Sequence, residues 1–189
     1  MRPGEVVSLQ SMKAWWTYTE IRSPRLTEEY QVDPRVPPLL ANVGSVAFES
    51  LSAFEVDALA EIFESFRSGY LNHYWADVPE FVIEEWSAEQ LGRVYAMSEA
   101  DPWGEGRYQP FVVYAAGTRP TDATAWLDPR VAADKVPLTT ALRTPDPLIV
   151  GRYKGFQVLI DGYFRGLLFM RSASLAERIA VLVPVPFAG

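Results

Sequence analysis

In the stretch FQVLIDGYFRGLLFM, residues 156–170, two apolar runs are separated by Asp161, Gly162 and Arg165. Those three residue types suit phosphate. The first turn of a helix carries amide N–H groups that the helix cannot satisfy, and its dipole favours an anion there. A glycine lets the backbone approach a ligand with no Cβ in the way. The Arg165 guanidinium can place a fork of donors on phosphate oxygens, and Arg152 and Lys154, a few residues upstream, are further positive charges. Asp161 can orient Arg165, hold a divalent cation such as Mg²⁺, or bond a ribose hydroxyl. The plainer reading makes Asp161 a helix N-cap and Arg165 a solvated surface residue. On pattern alone that reading is favoured, because Asp-Gly before a helix is common.

Other groups are weaker candidates. His73, the one histidine, lies in YLNHYWADVPEF and could act as a catalytic base, although a packed or surface imidazole is the commoner case. Trp15, Trp16 and Tyr18, between Lys13 and Arg22, could stack on bases, but such a cluster more often belongs to a core or a protein interface. Asp101 and Glu105 could join Asp161 around a metal, yet their Gly and Pro neighbours make a solvated turn the default. The sequence has no cysteine, which excludes disulfides, thiolate metal sites and thiol catalysis, and a single histidine excludes a multi-histidine metal site.

The order of PLIVG, a hairpin, FQVLIDGYFRGLL, a short helix and RIAVLVPV resembles the ParB/sulfiredoxin superfamily over residues 136–186. Members carry an apolar strand, an Asp-Gly-x-His/Arg-Arg motif on a strand-to-helix turn, and a closing strand. The resemblance implies a nucleotide- or DNA-phosphate site formed by Gly162, Tyr163, Phe164 and Arg165, with Arg152 and Lys154 beside it. It also implies catalytic roles for Asp161 and Arg165 in an ATPase or nuclease reaction, with ATP or another nucleotide and Mg²⁺ as cofactors. Two departures limit this. Sulfiredoxins use Gly-Cys-His-Arg where this chain has Gly162, Tyr163, Phe164 and Arg165, so sulfinic-acid reduction has no nucleophile. Phe164 stands where many members have a histidine, which removes an acid/base group. No helix-turn-helix for operator binding is recognisable. Length, composition and this ending are also similar to those of plasmid-encoded fertility inhibition factors of the oncogenic suppression kind. That similarity implies a block on export of DNA or nucleoprotein through a type IV secretion system. It implies DNA or nucleotide and the secretion and coupling proteins as partners. The expected place is the cytoplasm, at the inner face of the bacterial inner membrane through those partners. The alternative is a non-catalytic module that inhibits by protein–protein contact, with Glu55, Glu61 and Glu64 on its binding surface.

The elements that must hold these residues can be read locally. Ser52-Ala-Phe-Glu55 fits a capping box, and Phe54, Ala58, Ile62 and Phe66, with Leu51, Leu59 and Phe63, make the apolar stripe of a helix that Gly69 can close. Ser87-Ala-Glu-Gln90 opens a second helix with Leu91, Val94 and Tyr95 inward. The run PFVVYAAG, 110–117, reads as a buried strand. A turn is expected at 101–106, and mixed turns with a helical turn at Leu138–Leu142 before the regular ending. Leu148–Val150 and Phe156–Ile160 read as strands joined by a tight connection at Gly151–Gly155. A helix begins near Tyr163, and Ile179–Val185 is a closing strand. Before all this, Met1–Gly44 reads as irregular apart from a β-like segment at Glu5–Leu9, because its prolines disfavour long helices.

The expected fold is therefore α+β, a ParB/sulfiredoxin-like mixed sheet with flanking helices. It would form a single domain over 1–189, with residues 1–48 as an irregular or helical, Pro-rich N-terminal extension and 136–186 as the motif-bearing core. The 189 residues are 49% hydrophobic, enough for a sizeable core. No secretory signal is evident and no apolar run reaches the length of a spanning helix. The net charge of −7 argues against a general nucleic-acid coating protein. It is uneven: residues 1–100 carry 7 basic and 16 acidic side chains, residues 101–189 carry 10 and 8. A locally basic face on the second half is compatible with that balance.

Overall fold

A computed structural model describes residues 2–22, 27–67, 69, 72–75, 77–99, 107–117, 146–172 and 177–185. The predicted positions Asp101 and Glu105, the 101–106 turn and the helical turn at Leu138–Leu142 lie outside them. The fold is α+β. The strands β1 (Val6–Ser8), β2 (Glu80–Trp86), β3 (Tyr95–Glu99), β4 (Arg107–Pro110), β5 (Leu148–Tyr153), β6 (Phe156–Asp161) and β7 (Ile179–Pro184) form one mixed sheet in the order β1-β2-β7-β5-β6-β3-β4. β7 runs antiparallel to β2 and parallel to β5, and β3 runs parallel to β6.

Strand alternation divides the core into two layers. One face presents Phe81, Ile83, Ile149, Val158 and Leu182 to Trp15, Trp16, Phe63 and Trp75. Those residues come from α1 (Leu9–Ile21), α4 (Ala53–Phe66) and the chain that follows it. The other face presents Leu148, Val150, Leu159, Val181 and Val183 to α5 (Ala88–Gly92), α6 (Phe111–Gly117) and α7 (Tyr163–Ser172), through Leu91, Phe111, Ala115 and Leu167. A third cluster joins α1 and α4 to Tyr30 of α2 (Thr27–Tyr30) and to Val36, Leu39 and Val43 of α3 (Val36–Val43).

The N-terminal stretch is more regular than its prolines suggest. No proline falls within Leu9–Ile21, where Ser8 caps a 13-residue helix by accepting from the Ser11 amide at 3.1 Å. Pro37 and Pro38 sit in the first turn of α3, where a missing N–H is no loss. β1 is an edge strand of the main sheet, in register with β2 from Val6↔Val82 to Ser8↔Glu80. The second difference concerns residues 111–117, which are helical rather than extended. Phe111 and Ala115 are buried four residues apart, while Val112 and Val113 face out, a helical period that an unbroken apolar run conceals. Gly166 of α7 makes room for this helix, since a Cβ there would lie 2.9 Å from the Phe111 ring.

Both capping boxes form. Ser52 and Glu55 open α4, and Ser87 and Gln90 open α5. α5 stops at Gly92, and Tyr95 already belongs to β3. α4 ends at Phe66 with Arg67 as its C-cap, ahead of Gly69. Phe54, expected on the inward stripe, is 80% exposed, because the stripe that packs on α1 begins at Leu59.

Candidate functional site

The Asp161–Arg165 turn follows from three local requirements. β6 must end where Asp161 pairs with Ile149 at the start of β5. The chain must then reverse into α7 within one residue, and Gly162 does this at φ +87°. The first helical hydrogen bond runs from the Gly166 amide to the Gly162 carbonyl at 2.8 Å. A Cβ on Gly162 would overlap Leu148 Cδ2 and lie 3.2 Å from Arg165 Nη2. The glycine is thus demanded twice, by its backbone angle and by the packing of β5 and Arg165 over it.

Arg165 folds back over the turn. Its Nη1 donates to the Asp146 carbonyl, and its Nη2 reaches the Pro147 carbonyl and Asp161 Oδ2, each at 3.4 Å. The Arg165 side chain is 18% exposed and that of Asp161 44%. The guanidinium is therefore a clasp between the first turn of α7 and the entry to β5, rather than a solvated surface group. Its two 3.4 Å contacts are long for N–H···O bonds, so the Nη2 edge is weakly held while Nη1 is anchored.

The other predicted phosphate contacts do not gather here. The hairpin turns at Lys154 and Gly155, with φ +47° and +88°, and Tyr153 pairs with Phe156 across it. This is a two-residue turn of the kind that needs positive φ at both positions. Arg152 and Lys154 stand at that tip, both exposed. Arg152 pairs with Gln157, five residue steps along β6 from Gly162, and Lys154 lies beyond Phe156, so about 16 Å or more of strand separates each from the turn. Tyr163 turns into the helical layer, 5.6 Å from the Tyr114 ring and 6.2 Å from Phe111. Phe164 lies on the first turn of α7, and its side chain is outside the described residues.

A residue the sequence reading passed over joins the turn. Asp146 supplies the carbonyl that anchors Arg165 and is itself only partly buried. Its signal was the Pro-Asp-Pro that delivers the chain to β5. Asp146 reaches the turn through its main-chain carbonyl, so Asp161, already beside the Arg165 guanidinium, is the carboxylate that would hold a Mg²⁺ ion there, with phosphate oxygens and water completing the shell. The described residues contain no cluster of three or more acidic or histidine side chains able to cage a metal on their own.

The remaining candidates resolve as structure. Trp15 and Trp16 are buried, and Trp16 meets Phe63 and Trp75 edge-on at 5.6 and 5.9 Å. Tyr18 is buried, with the Arg22 guanidinium 4.5 Å from its ring centre. His73 packs 3.9 Å from the Tyr74 ring and 5.6 Å from Tyr153, and partial shielding from water holds its pKa below the usual histidine value. The acidic face of α4 is largely engaged within the fold. Glu55 closes the capping box, Asp57 accepts from Gln10 at 2.7 Å, Glu61 pairs with Arg35 at 3.4 Å and Glu64 pairs with Lys13.

Comparison with protein-family models, with curated proteins and with solved structures finds no match to this chain. No described helix is long and apolar enough to cross a membrane.

Proposed function

We propose that this chain is a plasmid-encoded fertility inhibition factor that blocks export of DNA or nucleoprotein through a type IV secretion system. In this reading it binds the phosphate of a nucleotide or of DNA at the Asp161–Arg165 turn. One observation carries the molecular part. Gly162, at φ +87°, carries β6 straight into α7, with Asp161 and Arg165 held together beside it. A phosphate oxygen arriving there replaces the two long Nη2 contacts without freeing the Nη1 anchor, and the α7 dipole favours its charge. Asp161 then faces the bound group. With Mg²⁺ supplying charge neutralisation, it is the residue that would orient a water toward a phosphate ester or anhydride, as ATPase or DNase chemistry requires. Phe164 leaves that chemistry without a histidine.

The site test uses ATP, ADP and a short DNA, each with and without Mg²⁺, in thermal shift and phosphate-release assays. Because Arg165 is also a clasp, Asp161→Asn is the primary variant and Arg165→Lys the second. The expected result is a ligand-dependent rise in melting temperature that Arg165→Lys weakens, with Mg²⁺-dependent turnover that Asp161→Asn removes. No shift with any ligand, or shifts that both variants leave intact, would overturn the site. Expression in a donor strain should lower plasmid transfer frequency, and unchanged transfer would overturn the inhibitor reading.

A second reading, inhibition by contact alone, is favoured by Phe54. A large ring 80% exposed on the first turn of α4 is a feature expected of a protein-binding anchor. Phe54→Ser that restores transfer while phosphate binding persists would select it. The partners in both readings are secretion and coupling proteins, reached at the inner face of the bacterial membrane.

A further inference from the structure

We propose that the sheet face over β6, β3 and β4 is a binding surface for single-stranded nucleic acid, with bases stacking on its aromatic rings and phosphates meeting the hairpin tip. This surface is separate from the Gly162 turn, and the proposal does not depend on it.

The sheet face that α1 and α4 cover is not covered evenly. Over β1, β2 and β7 the helices bury it. Over β5 the turn Asn72–Tyr74 sits directly on the strand, where a Cβ on Gly151 would come within 2.8 Å of Tyr74 Cβ. Beyond that point the same face presents Tyr153, Phe156, Tyr95 and Tyr108, all only partly buried. Their parity agrees with the register. Tyr95 pairs with Val158 of β6, two residues from Phe156, and Tyr108 pairs with Met97, two residues from Tyr95.

The four rings form a continuous cluster, tilted or edge-on to one another at 33–82°. Tyr95 lies 4.7 Å from Phe156, Tyr108 lies 5.6 Å from Phe156, and Tyr108 lies 5.0 Å from Tyr153. The Tyr74 and Tyr108 hydroxyls share a 2.7 Å hydrogen bond, which fixes the cluster to the buried core. His73 extends it beside Tyr153. A face made of rings rather than aliphatic chains matches flat partners, because every base offers a π-face whatever its sequence.

Charge selects the partner. The two-residue turn holds Lys154 at the edge of the cluster, with Nζ 5.1 Å from the Tyr153 ring centre, and Arg152 is exposed two residues away. Among the described residues neither meets a carboxylate, in contrast to Lys13, Arg35, Arg67 and Arg93, each of which does. Cations that meet no carboxylate, beside clustered rings, suit an anionic polymer with exposed bases. A duplex keeps its base faces inside its own stack and offers this surface only backbone.

The test is fluorescence anisotropy of a labelled oligothymidine at low salt, against a duplex of matched length. Phe156→Leu keeps apolar packing and removes a stacking ring. Lys154→Asn removes a charge at a positive φ that asparagine tolerates. The expected outcome is single-strand binding over duplex, roughly 5- to 150-fold weaker in Phe156→Leu. In Lys154→Asn it is weaker and its salt dependence is shallower by about one phosphate contact. Unchanged melting temperatures show that the fold is kept. Absence of binding, preference for duplex, or full binding by the double variant would overturn the proposal. Binding that Asp161→Asn abolishes and Phe156→Leu leaves intact would also overturn it, by placing the ligand at the other end of the hairpin.

Discussion

Gly162 and Gly155 have nearly the same backbone angle, φ +87° and +88°, and opposite surroundings. A Cβ at Gly155 meets nothing within 4 Å, whereas one at Gly162 collides with Leu148 and crowds Arg165. Replacing each by alanine therefore separates two costs. Gly155→Ala incurs only the left-handed backbone, about 1–2 kcal/mol. Gly162→Ala incurs the same cost plus overpacking of about 1–3 kcal/mol, so its total loss is roughly 2–5 kcal/mol. Urea unfolding measures both, provided the slope with denaturant stays constant between variants. In melting temperature the extra loss in Gly162→Ala corresponds to roughly 2–4 °C per kcal/mol for a chain of this length. Equal losses in the two variants would refute the claim that Leu148 and Arg165 close over the turn. The double variant Gly162→Ala with Leu148→Ala sharpens the test. It should recover part of the overpacking term, and a purely additive loss would show that Leu148 is not what the new methyl strikes.

Three further outcomes are expected. Arg67 bonds both Glu20 oxygens at 3.2 and 3.3 Å and both Glu29 oxygens at 2.9 and 3.1 Å, and its guanidinium lies 5.4 Å from the Tyr30 ring centre. Arg67→Ala leaves Glu20 without its cation, bonded only to the Tyr30 hydroxyl, and should cost about 3 kcal/mol in urea unfolding, and a loss under 1 kcal/mol would mean the network is solvated. His73 has a folded pKa below its unfolded value of about 6.5, so its stabilising contribution is complete above that value and falls as pH drops through the folded pKa. Because it is the one histidine, its imidazole NMR titration is unambiguous, and a midpoint at or above the unfolded value would contradict the shielding by Tyr74 and Tyr153. Phe54→Ser should leave unfolding stability within about 0.5 kcal/mol, and a larger loss would mean the ring packs on something that the exposed α4 face conceals.

Local signals were legible in the sequence. Ser52 with Glu55, and Ser87 with Gln90, each satisfy two amides within four residues, so no distant contact is needed to read them. The same holds for the strands read at 148–150 and 156–160, the helix after Gly162 and the closing strand, but the connection read at Gly151–Gly155 shrinks to Lys154 and Gly155, because β5 goes on pairing with β6 as far as Tyr153. What failed was information held in three dimensions. Phe111 to Ala115 are apolar in either conformation, and the gap left by Gly166, into which the Phe111 ring packs, is a tertiary feature that the run itself does not display. Arg152 and Lys154 are close to Arg165 in sequence, but an extended strand carries them away from it. Arg165 looked free because its partners are main-chain carbonyls at Asp146 and Pro147, which no side-chain pattern advertises.

β7 is made after the other six strands, yet it lies third in the sheet, between β2 and β5. Until it leaves the ribosome, β2 with β1 on one side and β5 with its neighbours on the other are two half-sheets, each with a raw edge. The core cannot close around either half, so the sheet is committed to closing only after β7 has been synthesised. A message cut short before Ile179 would yield a product whose two open edges invite pairing with other chains. Quality control in the cell should clear such fragments.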